Sequence, residues 1–183
     1  MHLPKSRPPL MDRVICAALQ AKIDEQIERT DHLIAVLPED HLDWVPPIPA
    51  AWSAGVLLGH LLECLAGFCA VFYGVDPDRL AHFRLLRDLP VNHHCGQAAA
   101  RERIKVYRAR IEEGFALLRD TDLGRQLPTV FAIDGEPILT LLLGNLEHLI
   151  NHKHQLFTYL KLMGVEVGSQ DLYRFRGTHS STL

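Results

Sequence analysis

The stretch that most constrains this chain runs from Pro137 to Gly164 and reads PILTLLLGNLEHLINHKHQLFTYLKLMG. It opens on a proline suited to a first helical turn and closes on a glycine suited to a C-terminal cap. The residues between them predict about 39 Å of helical rod at ~1.5 Å per residue. His148 and His152 are one turn apart, offset by only about 40° around the axis, so both rings leave one face. Gln155 and Tyr159 continue that stripe over the next two turns. Two imidazoles so placed can grip one metal ion, and imidazole suits zinc, nickel, copper or iron. The bland alternative is a pair of satisfied core histidines, and a third residue is needed to choose between them.

That residue is His60. It lies in the middle of WSAGVLLGHLLECLAGFCAVFY, Trp52 to Tyr73, a strongly apolar run with Ser53 as its N-cap. A buried neutral imidazole needs partners for both ring nitrogens, and its neighbours in sequence offer none. If the two helices pack face to face, one shared cation answers for all three rings. This order is Trp-Ser, a histidine in a leucine-rich helix, then His-x3-His-x2-Gln-Leu running into Tyr-Leu-x-Leu-x-Gly. It resembles the DinB superfamily of metal-binding four-helix bundles, over about residues 11 to 164. The resemblance implies an all-α four-helix bundle with crossover linkers, whose second and fourth helices hold the metal together. By that match His60, His148 and His152 are the ligands. The chain departs from the family's usual His-His-x-Gly-Gln ending, with Asn151 and His154 in place of the extra histidine and the glycine.

With 183 residues, one domain is expected, bearing an irregular arm over 1–9 and a tail over 165–183. The net charge of −3 gives no electrostatic reason to expect nucleic acid. Cys16, Cys64, Cys69 and Cys95 show no C-x-x-C spacing, and reduced thiols in a cytoplasmic protein are the simplest account. No continuous apolar segment follows the first positive charges, so no secretory signal is expected. The run from Val56 to Val75 is long enough to span a bilayer. His60 and Glu63 near its middle argue for a buried bundle helix instead.

Taken in order, Leu10 to Leu37 predicts a first amphipathic helix with Val14, Ala17, Ala18, Ala21, Ile27, Leu33, Ile34 and Leu37 recurring at helical intervals. Pro38 ends it, and a proline-rich extended link follows to Ala51. The second helix should stop at Gly74. Residues 75–94 read as a polar connection with a helical turn near Leu80 to Leu86. The cluster His93-His94-Cys95 reads as solvent-exposed loop, with a place on the rim of the bundle mouth as the alternative. A third helix is expected over Gln97 to Asp120, with Ile104, Tyr107, Ile111, Phe115 and Leu118 inward. Its basic row Arg101, Lys105 and Arg108 reads as a solvated face balanced by Glu102, Glu112 and Glu113, or as an anchor for an anionic substrate. TVFAI, from Thr129 to Ile133, suggests a strand-like strip, and the apolar residues after Gly164 a short docked or frayed segment.

Two other metal chemistries are excluded. A ferritin-like di-iron bundle needs Glu-x-x-His pairs, which are absent. A zincin protease needs Glu after the first histidine of the helical pair, and that position is Leu149. Three neutral ligands leave coordination positions open, the make-up of a catalytic rather than a structural centre. The guest is then water, giving a metal-dependent hydrolase, or a thiolate, giving a thiol-dependent S-transferase acting on small electrophiles. Relatives implied by the resemblance include thiol-dependent transferases and an isomerase, which favours the second. Zinc or nickel is the expected ion, with iron or manganese after them. Glu63, one turn from His60, and Gln155, on the His148 face, are the candidate catalytic or orienting groups. A third reading is non-catalytic: a metal-stabilised bundle that works by dimerising, its fourth ligand supplied by Cys64. A homodimer is expected from the resemblance, and no nucleic-acid or membrane partner from the charge and from the polar groups within the apolar run.

Overall fold

The computed structural model describes residues 10–86, 89–129 and 133–173. Four long helices carry the fold: α1 (Val14–Ala35), α2 (Ala54–Val75), α3 (Gln97–Phe115) and α4 (Ile138–Leu162), followed by a short α5 (Ser169–Leu172). α1 packs against α3 and α4, and α2 packs against the same two. The consecutive pairs α1–α2 and α3–α4 therefore lie across the diagonals, so the expected crossover links are present and a simple up-down order is not. The proline-rich link spans one diagonal. The other is spanned by a segment holding a two-residue antiparallel ladder, β1 (Gln126–Leu127) with β2 (Glu136–Pro137). The expected TVFAI strip falls largely on 130–132, outside the described residues; Ile133 is exposed.

α2 is the central helix of the core. Ser53 caps it, its Oγ accepting from the Val56 N–H at 3.3 Å, and most of its length is buried among leucines and phenylalanines. It is long and apolar enough to cross a membrane, yet 72% of its most apolar window is buried inside the protein. The helix does not stop at Gly74 but continues to Val75, with Asp76 at its C-cap. A glycine ends a helix when it takes a left-handed conformation, as Gly164 does at φ +82° after α4. Gly74 stays helical. Pro137 stands at the N-cap of α4 rather than inside its first turn.

The buried stripe of α1 differs from the expected one. Val14 is 63% exposed, and Ala17, Ala18 and Ala21 face solvent as well. The residues that turn inward are Cys16, Leu19, Ile23, Ile27, Leu33 and Ile34. Larger side chains gain more from burial than alanines do, so they set the helix's rotation. α3 ends at Phe115, short of Asp120, and all five of its expected inward residues are buried. Asp120 instead accepts from the Ile15 and Cys16 N–H groups at 2.9 Å, closing the start of α1.

The tail docks. Lys153 on α4 is 1% exposed and donates to Gln26 Oε1 at 2.6 Å and to the Leu172 carbonyl at 3.0 Å. Burial pulls its pKa down to about 8. All four cysteines are free and buried.

Candidate metal centre

The fold brings the three histidines together. His60 Nε2 lies 3.1 Å from both His148 Nε2 and His152 Nε2, and the three nitrogens all fall within 4.8 Å of one another. The other ring nitrogens of two of them are already engaged. His60 Nδ1 is 3.0 Å from Glu63 Oε2, and His152 Nδ1 is 2.8 Å from Gln155 Oε1. Both partner oxygens accept, so each Nδ1 carries the proton and each Nε2 presents a bare lone pair. Two lone pairs 3.1 Å apart repel, and the single remaining donor, His148 Nε2–H, can satisfy only one of them. A cation at the common point satisfies all three. The spacing suits one, since tetrahedral zinc at about 2.05 Å from each nitrogen holds them roughly 3.3 Å apart.

The surroundings favour the neutral form of His148 and His152. Burial holds the His148 pKa below the ordinary imidazole value, and the neighbouring His152 and His60 reinforce it. Burial does the same for His152, against the pull of its hydrogen bond to Gln155. Both folded-state values are depressed, so the unfolded chain binds protons more readily. Their contribution to stability is therefore full above the unfolded pKa of about 6.5 and is lost as the pH falls from there through the lower folded-state values. In urea unfolding of the metal-free protein, the midpoint should drop between about pH 7.5 and about pH 5.5, and drop less in His148→Asn. A midpoint flat across that range in the unaltered protein would contradict the assignment.

Further groups complete the wall. The Trp52 indole stacks on His152, with centroids 5.6 Å apart and planes at 27°, and lies 4.6 Å from the His60 ring. Gln155 Nε2 donates to Tyr159 Oη at 3.1 Å, and that hydroxyl donates to the Trp52 carbonyl at 3.1 Å. Tyr159 is thus both core and the far end of a chain that orients His152. Sequence reading gave Trp52 only as part of a signature, because nothing in its spacing reveals that it folds back over α4.

Several candidates lie elsewhere. Cys64 is 1% exposed in the apolar core. Burial, with the charge of Glu63, pushes its thiol up to about 12, and it does not join the three histidines. It is no fourth ligand. His154 is exposed and stacks edge-on against Phe157. His94 is exposed and Cys95 is buried, so the loop expectation holds for His94 but not for the cysteine. His93 is exposed and reaches the rim, its Nδ1 3.9 Å from Glu63 Oε1. The basic row is occupied: Arg101 pairs with Asp31 at 3.0 Å and Arg108 with Asp24 at 3.1 Å, both on α1, while Lys105 pairs with Glu102. Only the last was among the expected glutamates, because the α1 aspartates approach through tertiary packing.

A family model for the DinB superfamily matches residues 22–156. The chain belongs to the DinB superfamily. Its bundle is similar to the crystal structure of a DinB-like protein from Bacillus subtilis, with a TM-score of 0.64 at 19% identity, covering 86% of this chain and 99% of that one. At that identity the likeness speaks for the DinB fold alone. No curated protein matches the chain.

Proposed function

We propose that this DinB-family protein is a metal-dependent S-transferase that joins a low-molecular-weight thiol to a small electrophile. The observation that carries the reading is the donor set. Three neutral imidazoles converge from α2 and α4, and no described cysteine or carboxylate joins them as a fourth ligand. A divalent ion bound there, zinc or nickel by ligand preference, would have room for a sulfur guest and would lower its pKa.

The chain's own groups then orient the ligands. Glu63 Oε2 holds the His60 Nδ1 proton, while Glu63 Oε1 faces the exposed His93 ring. The thiol proton leaves to solvent on the exposed His148 side of the centre. The sulfur lone pair forms the C–S bond, and the leaving group departs with the electron pair of the bond that breaks. The Trp52 ring packs against both His60 and His152 and so braces the two rings.

The test is conjugation of monobromobimane with glutathione, bacillithiol or mycothiol by zinc- or nickel-loaded protein. At least one thiol should react above its uncatalysed rate, and Glu63→Gln should lower that rate about 10- to 100-fold, the usual effect of losing a group that orients a metal ligand. If no thiol accelerates the reaction while the same protein turns over an ester, metal-bound water is the working guest and the protein is a hydrolase.

A further inference from the structure

Beside the histidines a groove of about 570 Å³ runs along α2, lined by Glu63, Ala66, Ala70, Tyr73, Phe83, Arg84 and His93. It exists because the connection leaving α2 at Asp76 doubles back alongside the helix it came from. A 3₁₀ turn, Ala81–Leu85, carries Phe83 and Arg84 against α2. Asn92 and His93 then reach Gly59, where any Cβ would sit 2.6 Å from the Asn92 carbonyl oxygen. The connection is held there by a buried polar knot: Tyr107 Oη donates to the Leu86 carbonyl, and Asn92 Nδ2 donates to Tyr107 Oη at 2.7 Å. One wall is therefore α2, whose small Ala66 and Ala70 leave the space, and the other is the returning chain.

The groove has polarity along its length. From Glu63 to Tyr73 it covers ten residues of helix, about 15 Å at ~1.5 Å per residue. At one end Glu63 bonds to His60 Nδ1, so the groove ends one side chain away from the histidine cluster. Its middle is apolar, floored by the alanines and closed by the buried Phe83. Across from them stands Arg84, exposed and without an ion pair among the described residues. Arg101, Lys105 and Arg108 on α3 are by contrast spent on carboxylates. An exposed guanidinium over an apolar floor is suited to a planar carboxylate on a hydrophobic body.

We infer that this groove binds a small amphipathic carboxylate, its acid group on Arg84, its apolar body over Ala66 and Ala70, and its far end at Glu63, next to the histidine centre. The inference deepens the proposed function, on which it rests for what the bound molecule is presented to, by giving the carboxylate-bearing class to one of the two substrates.

Calorimetric titration of the full-length, metal-free protein with 4-phenylbutyrate and its neutral amide tests the site without metal coordination. The acid should bind on the order of ten-fold more tightly than the amide. Arg84→Gln, at an exposed position, should bring the two to equal affinity, and Ala70→Leu should weaken both by filling the floor. Equal affinities in the unaltered protein, an acid preference that survives Arg84→Gln, or no saturable binding would each overturn the inference. Metal content of the same preparations after zinc loading separates the two ideas. Acid binding with no metal uptake would sink the transferase and leave the groove, whereas metal uptake and conjugation without acid selectivity would do the reverse.

Discussion

Replacing His152 with alanine should strip the protein of its metal. Elemental analysis of the unaltered chain should find about one transition-metal ion per molecule, and of His152→Ala close to none after dialysis. The size of the loss follows from sharing. Zinc affinity of about 10–16 kcal/mol, spread over four ligands, gives each about 2.5–4 kcal/mol, so removing one should weaken binding about 70- to 1000-fold. His152 is the most informative of the three because Gln155 fixes its tautomer and Trp52 stacks on its ring. The variant should stay folded, since the ring is half-buried at the bundle mouth and not in the core. His154→Ala, two residues on, points to solvent and should leave metal content unchanged. Equal metal content in both variants would remove the basis for the proposed chemistry.

The second large effect should be structural. Gly114 lies where α3 crosses α2, and a Cβ built there would stand 2.2 Å from Cγ and 2.4 Å from Cδ2 of Phe72. Phe72 is fully buried and packs edge-on against Phe115 at 5.0 Å, so its ring has no open side. Alanine would gain about 1 kcal/mol of helix propensity. Overpacking of this kind costs about 1–3 kcal/mol and more where the neighbours cannot yield, and it should win here. We expect Gly114→Ala to lose about 2 kcal/mol net and to lower the melting temperature by about 4–8 °C. Gly144 supplies the control. It sits in the second turn of α4 with open space where a Cβ would be, so the same change there should raise stability by about 0.5–1 kcal/mol. In a double-mutant cycle with Phe72→Ala, the cost of Gly114→Ala should shrink. A melting temperature raised by Gly114→Ala would show that α3 can shift freely off α2.

The histidine triad was legible in the sequence because two of its members obey helical spacing and the third interrupts an apolar helix that has no other use for it. Glu63 followed by the same arithmetic, one turn from His60, and Gln155 by sharing the His148 face, although its partner in the fold is His152. Helix count and crossover linkage were legible from long apolar runs and long proline-rich or turn-rich links. What depended on tertiary approach was not. The Trp52 ring over His60 and His152, the α1 aspartates beneath Arg101 and Arg108, and the groove made by the returning connection have no local signal. The rotation of α1 was misjudged for another reason. Ala17, Ala18 and Ala21 match the helical period, but so do Leu19 and Ile23, and periodicity alone does not weigh side-chain size.

The helices that carry the histidines are neighbours in space and strangers in sequence: His60 and His148 are separated by 88 positions. Anything that fastens those two rings also closes the intervening loop, a restriction worth about 4 kcal/mol of chain entropy from (3/2)RT ln n. An ion seated there would thus work as a removable cross-link, narrowing the freedom of the denatured ensemble much as a disulfide does. This chain, whose four thiols are all free, would gain that tether without an oxidising environment.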